Sequence, residues 1–262
     1  MINVLETNEQ ILNSIELTSL LTGYNLLPQL IRELVIDRAI YQWQSSTHVS
    51  LSFTDEEINN TQAIFYQQHQ VIDSEQEKIW LESYGINKQQ LMSLLTRQLK
   101  IEKFQQATWG HKIEAYFLQR KKYLDRVVYS MVRTRDLGIS QELYFRIQAD
   151  EHSFGELAKN YSTGAEANTN GIVGPVEMGT LHPGLARQLQ ISQPGQLWQP
   201  VSFGEYFVII RLEKLLPVEL DELMRQRLMR ELFEVWLREE IQNLSHWQKS
   251  ELIKNLRIRE SG

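Results

Sequence analysis

The chain has 262 residues, a formal net charge of −6 at neutral pH, 42% hydrophobic and 23% charged residues. That is enough apolar material for one large core or two ordinary ones, and it argues against wholesale disorder. Cysteine is absent, which excludes disulfide scaffolds, thiol nucleophiles and thiolate-held zinc or iron–sulfur centres. The acidic balance offers nothing for binding nucleic acid through counterion release.

Glycine and proline are unevenly spread. Nine of 13 Gly lie between Gly138 and Gly204, and five of six Pro between Pro175 and Pro217. Both residues terminate helices and build turns, so two helix-friendly segments flank a turn-rich middle. The first thirty residues carry acids rather than a basic leader, and no run of about 18 apolar residues exists. The expected location is the cytoplasm, with no membrane partner.

The N-terminal segment reads as several helices. Leu17, Leu20, Leu21, Tyr24 and Leu27 fall at helical spacing. Pro28 then opens a run with Leu30, Ile31, Leu34, Val35 and Ile40 on one face. Capping boxes follow at Thr54 with Glu57, Ser74 with Glu77, and Asn87 with Gln90. In each, a short polar side chain accepts from the third residue's N–H while Glu or Gln reaches back. A further helix is expected from His111 to Leu124.

From Arg126 the period changes. Val127 to Arg133 is β-branched and apolar, which suits a largely buried strand. A capping box at Ser153 and Glu156 opens a short helix through Phe154, Leu157, Ala158 and Tyr161. Val173 to Met178 is a short strand candidate, Pro183 starts a short helix, and Val201 begins an edge strand. Phe207 to Leu212 is the strongest strand signal, giving the order β-α-(α)-β-α-β. The C-terminal segment is one long helix or two, with a stripe of Leu220, Met224, Leu228, Leu232, Val235 and Trp236.

Most catalytic motifs are missing. There is no phosphate-binding glycine loop and no nucleophile elbow. His48, His69, His111, His152, His182 and His246 make no locally spaced ligand pair, so no metal site and no cofactor are expected. The acids Asp55, Glu56 and Glu57 suit the first turn of a helix, where they complement its dipole.

Four stretches of the middle segment carry a resemblance. Val127–Thr134 stands as a first strand. Phe154-Gly155-Glu156-Leu157-Ala158-Lys159-Asn160-Tyr161-Ser162 follows the pattern F-x-x-L-A-x-x-Y-S. Asn170-Gly171-Ile172-Val173-Gly174 and Gly179-Thr180-Leu181-His182-Pro183 follow G-G-D-L-G … G-x-M-x-P. Gln193 to Gly195, Gln199 to Val201, Phe203-Gly204 and the strand to Leu212 complete it. Together they resemble the parvulin family of peptidyl-prolyl cis-trans isomerases, or rotamases. The flanks are similar in architecture to those of SurA-like parvulin chaperones.

The resemblance implies an α+β fold: a parvulin-like domain, with a small antiparallel sheet among helices, plus an all-α chaperone-like lobe. The expected divisions are residues 1–124 for the N-terminal part of the lobe, 125–216 for the parvulin-like domain, and 217–262 for a C-terminal helix packing on that lobe. The family's proline pocket falls on Leu181 and Leu185. Its first-strand His falls on Tyr129, its loop Cys or Asp on Gly164, and its last-strand His near Phe207, with Tyr206 beside it. His182 stands at the groove's edge. Tyr129 admits two readings, a hydroxyl donor or a core residue with its tip hydrogen-bonded.

The implied function is isomerisation and folding assistance for unfolded or proline-containing polypeptides, slow because the family's polar residues are replaced. The alternatives are a non-catalytic holdase and a maturation factor dedicated to one client.

Overall fold

The computed structural model describes residues 14–47 and 52–245. His48, His246 and the outermost parts of both flanks lie outside the described residues. Two compact units form, one from Met1–His111 with Gln226–Gly262 and the other from Lys112–Arg225.

The first unit is helical. Its elements are α1 (Ser14–Gly23), α2 (Leu27–Thr47), α3 (Asp55–Gln68), α4 (Ser74–Tyr84), α5 (Lys88–Trp109) and most of α10 (Glu222–Asn243). The expected run from Leu17 to Leu27 divides, because α1 ends at Gly23 and Asn25 takes a positive φ. Capping boxes hold the starts of α3 at Thr54 and α5 at Asn87. At α4 the cap is Asp73, whose carboxylate accepts from the Glu75 and Gln76 N–H groups, so Ser74 is already helical. A carboxylate also meets the positive end of the helix dipole, which a serine hydroxyl cannot do as strongly.

The C-terminal helix completes the N-terminal lobe. Ile31, Val35, Ile36 and Ile40 of α2, Ile101, Phe104 and Trp109 of α5, and Phe233 and Leu237 of α10 form one core. Its centre is aromatic: Trp236 lies 5.6 Å from Phe104 and 5.5 Å from Trp109, and Phe233 lies 5.9 Å from Trp109. Edge and tilted arrangements of this kind favour the ring quadrupoles as well as burying area. The buried stripe of α10 runs through Leu228, Phe233 and Leu237, whereas Val235 points outward. A bidentate pair between Arg32 and Glu234 (2.9 and 2.7 Å) ties α2 to α10 beside this core.

The second unit holds a four-stranded antiparallel sheet in the order β2-β1-β4-β3. Its elements are α6 (Ile113–Leu124), β1 (Arg126–Thr134), α7 (Leu137–Gln148), α8 (Phe154–Tyr161), β2 (Ile172–Glu177), α9 (Pro183–Gln190), β3 (Val201–Phe203) and β4 (Tyr206–Leu216). Helix α7 has no range in the sequence reading, although its signals are present: Asp136 caps it, and Leu143, Tyr144 and Ile147 form its buried face. Both neighbours of the central pair are short, so β1 and β4 carry the sheet.

Strand alternation gives that sheet two different faces. Val132 and Ile209 meet Leu143, Ile147, Phe154, Leu157 and Ala158 from α7 and α8. On the other face, Val127, Tyr129, Val208, Ile210 and Leu212 meet Met178 and the α9 residues Leu185, Ala186 and Leu189. Asp125 ties the strand ends together, because its carboxylate accepts from the Lys121 ammonium and from the Val218 N–H, each at 2.8 Å. No helix among the described residues is long and apolar enough to cross a membrane.

The Arg32–Glu234 pair makes the helical lobe pH-sensitive. Hydrogen bonding to Arg32 holds the Glu234 carboxyl below its ordinary value of 4.5. A depressed carboxyl stabilises above its unfolded pKa and loses that contribution as pH falls through its folded pKa. The pair is about two-fifths exposed, so it contributes about 1 kcal/mol or less. Glu234→Gln is expected to lower the melting temperature by a constant amount above about pH 5. The difference from the native chain should shrink as pH falls below that through the depressed Glu234 pKa, as followed by circular dichroism melts.

Candidate functional site

The site lies on the α9 face of the sheet. Tyr129, Met131 and Arg133 stand in a row along β1, opposite Leu212, Ile210 and Val208 of β4. Residues two apart on a strand share a face, so this register fixes the row. The pairing shifts between Val128 and Tyr129, which seats Tyr129 at an irregular point. On β2, Gly174 takes φ +116°, and a Cβ there would stand 2.4 Å from the Val127 carbonyl oxygen.

Leu181, Leu185, Phe203, Tyr206 and Trp198 close around this row. The loop before α9 is shaped by His182, whose Nδ1 accepts from the Gly184 N–H at 3.2 Å and caps the helix. The His182 ring also meets Phe203 edge-on at 5.2 Å. Both contacts are structural, and the imidazole itself is exposed. Trp198 is fixed by its indole N–H donating to Ser192 Oγ at 2.7 Å.

The polar centre comes from two residues that the sequence reading does not single out. The carboxylate of Glu166 is only 4% exposed and takes two bonds from Arg133, Nε at 3.2 Å and Nη2 at 3.0 Å. Ser162 Oγ donates to the same carboxylate at 2.5 Å. The Arg133 guanidinium lies over the Tyr206 ring, 5.2 Å from its centroid. Arg135 also lies over this ring, at 5.5 Å, and donates to the Tyr206 hydroxyl. Burial pushes the Tyr129 hydroxyl above its ordinary value of 10.0; the Glu166 carboxylate adds to this, and the Arg133 guanidinium opposes it.

Tyr129, Leu181, Leu185 and Tyr206 are therefore brought together. Phe207 is not. It pairs with Thr134 and Ser202 and alternates with Tyr206 and Val208, which places it on the face of Val132 and Ile209. The β4 residue that does face the row, opposite Arg133, is Val208. Alternation along β1 could have singled out Arg133, two steps beyond Tyr129 on the same face. Glu166 gives no comparable signal, because its position depends on the loop's path. Among the described residues, no group of three His, Asp or Glu could hold a metal ion.

Residues 138–214 match a protein-family model described as Rotamase: PPIC-type PPIASE domain. The middle of the chain is a parvulin-type peptidyl-prolyl isomerase domain, and helices flank it on both sides. The match begins after β1, so Tyr129 and Arg133 lie just upstream of it. No curated protein matches the chain in sequence. Among solved structures, the peptidylprolyl isomerase PrsA of Bacillus cereus is 20% identical, with a TM-score of 0.44, covering 95% of this chain and 89% of its own. A foldase protein PrsA from Streptococcus pneumoniae is 16% identical, with a TM-score of 0.37, over 96% of this chain and 91% of that one. A SurA-like chaperone of Campylobacter jejuni is 16% identical, with a TM-score of 0.36, over 84% and 93%.

The seat of Tyr129 depends on Gly174. Gly174→Ala combines an unfavourable φ with a backbone clash, and is expected to destabilise the chain by about 3 kcal/mol or more. Gly195 also has a positive φ, but a Cβ there meets nothing within 4 Å. Gly195→Ala should cost only about 1 kcal/mol, and urea unfolding of the two variants checks the contrast.

Proposed function

We propose that the chain is a peptidyl-prolyl cis-trans isomerase and folding chaperone for proline-containing polypeptides, with a slow catalytic step. One observation carries the reading. In a parvulin-type domain, Leu181 and Leu185 pack in one cluster with Tyr129 against a single sheet face. An X–Pro bond rotates over a barrier of about 18–20 kcal/mol. At the twisted midpoint amide resonance is lost and the nitrogen lone pair is released. A site gains rate by holding the proline ring in an apolar recess, excluding water, and donating a hydrogen bond that strengthens during the twist. No nucleophile, metal or cofactor is needed for such chemistry.

Leu181 and Leu185 hold the ring in this reading, and Tyr129 donates. Tyr206 and Phe203 flank the recess, while His182 shapes its edge without taking part. The step is slow because the positions on which the resemblance puts the family's last-strand His and its loop Cys or Asp, near Phe207 and at Gly164, carry no polar side chain. A protease-coupled assay on short X–Pro peptides tests this. Catalysed isomerisation is expected at micromolar protein, and a rate equal to the uncatalysed one overturns the reading. Tyr129→Phe should lower the rate about 3- to 10-fold, the factor that one weak hydrogen bond provides in a transition state. Because the Tyr129 hydroxyl is pushed above 10.0, its contribution should stay constant from about pH 6 to pH 9 and disappear only at higher pH.

A second reading, a holdase, draws on the helical lobe. Ile72 is 85% exposed and Ile79 and Tyr84 are 60% and 64% exposed. They lie along or just before α4, where Tyr84 also stacks on Trp80. Apolar side chains so exposed in one short stretch suit transient contact with unfolded polypeptide. Ile72→Ser with Tyr84→Ser should weaken suppression of aggregation of a denatured client and leave the peptide isomerisation rate unchanged. Unaltered suppression removes this stretch from the client surface.

A further inference from the structure

We propose that Arg133 is a catalytic residue of the isomerase site, donating to the prolyl amide from its guanidinium, with Glu166 and Ser162 as the positioning residues that hold it there. The inference rests on the isomerase reading above and identifies a donor beyond Tyr129.

The first argument is the space at position 164. Gly164 has φ −112° and ψ −179°, an extended conformation open to any residue. Its glycine therefore answers to space and not to backbone strain. A Cβ there would stand 1.6 Å from Arg133 Nη2, 2.5 Å from its Cζ and 2.3 Å from Glu166 Oε2. The guanidinium occupies the volume that a side chain on this loop would fill.

The second argument is how the group is held. Nε and Nη2 of Arg133 both donate to Glu166. That leaves Nη1 with both its protons uncommitted among the described residues, since a guanidinium carries five N–H donors. The Arg133 side chain is 32% exposed while the Glu166 side chain behind it is 4% exposed. The cation thus stands on the open side of the pair, in the β1 row that holds Tyr129 and opposite Val208.

The third argument is that the fold does not need the pair to anchor this loop. Three other bonds already do so. The Arg133 N–H donates to Ser162 Oγ at 3.0 Å, and the Thr163 N–H and hydroxyl donate to the Arg133 carbonyl at 2.9 and 3.1 Å. Burying a carboxylate to meet a guanidinium is costly, and as a purely structural device it is readily replaced by apolar packing. A preorganised charged donor is what a twisting amide uses best. The prolyl nitrogen becomes a stronger acceptor as resonance is lost, so the bond is worth more in the transition state than in the ground state. No proton need be transferred and no bond is broken.

The test uses the full chain and one short peptide with a single X–Pro bond. Exchange NMR gives the isomerisation rate, peptide titration gives affinity, and a thermal melt reports folding. Arg133→Met combined with Glu166→Gln removes both charges together. It should slow isomerisation by about tenfold, the worth of one charge-assisted bond. Peptide affinity should stay within about twofold, because the lost contact belongs to the transition state. Gly164→Ala should slow the native chain comparably, by displacing the guanidinium, yet cost nothing further in the Arg133→Met, Glu166→Gln background. A native chain that catalyses, alongside a folded double variant with an unchanged rate, overturns this inference and leaves the isomerase reading standing. An unchanged rate in Gly164→Ala overturns it equally, whether or not the double variant folds. A native chain that does not catalyse overturns both.

Discussion

The antiparallel pairing of β1 with β4 is the constraint on which the middle unit depends. It runs in register from Arg126 opposite Leu216 to Thr134 opposite Phe207, with one irregularity beside Tyr129. Every side chain on these strands is committed by that register to one of two faces. One face is sealed by α7 and α8. The other is covered by α9, a short helix with a proline start, and by the loops around it. A one-residue slip would exchange the two faces completely. The composition of each face is thus a property of strand pairing before it is a property of any loop.

That dependence explains the unusual distribution of polar groups. The β4 position facing Arg133 is Val208, and the loop position against the Arg133 guanidinium is Gly164. Polarity enters instead from the same β1 row, through Tyr129 and Arg133, and is balanced from behind by Glu166. The buried Glu166 side chain has its oxygens satisfied by both Arg133 and Ser162. Tyr206 adds an aromatic wall against which two guanidinium groups lie, and delocalised cations suit such a surface better than ammonium groups would.

Much of this architecture was legible in the sequence. The crowding of glycine and proline between residues 138 and 217 marked the parvulin-type middle, and the α+β fold with helices on both sides followed from the residues and the resemblance together. Three of the four capping boxes stand as written; the fourth moved by one residue because Asp73, just before Ser74, is the stronger cap. What was not legible depended on the third dimension. Phe207 was placed beside the site because a linear comparison cannot separate adjacent residues of a strand, whereas the register separates them by a whole sheet thickness. Glu166 was invisible because its role is set by the path of a loop back to β1. Helix α7 has the periodicity of a buried face, but it lies between a strand and the Ser153 capping box, whose sequence signals are stronger than its own.

The return of α10 to the N-terminal helices has a consequence for the order of events during synthesis. Phe104 and Trp109 leave the ribosome with their partners Phe233 and Trp236 still to be translated. At ordinary elongation rates that interval is about ten seconds. The middle unit can close its own sheet within this time, since β1 and β4 are both made before α10 is complete. The helical lobe cannot, and its half-built aromatic core stands open to other chains in the meantime. The chain is thus, during its own birth, briefly a folded middle unit joined to helices whose shared core is still incomplete.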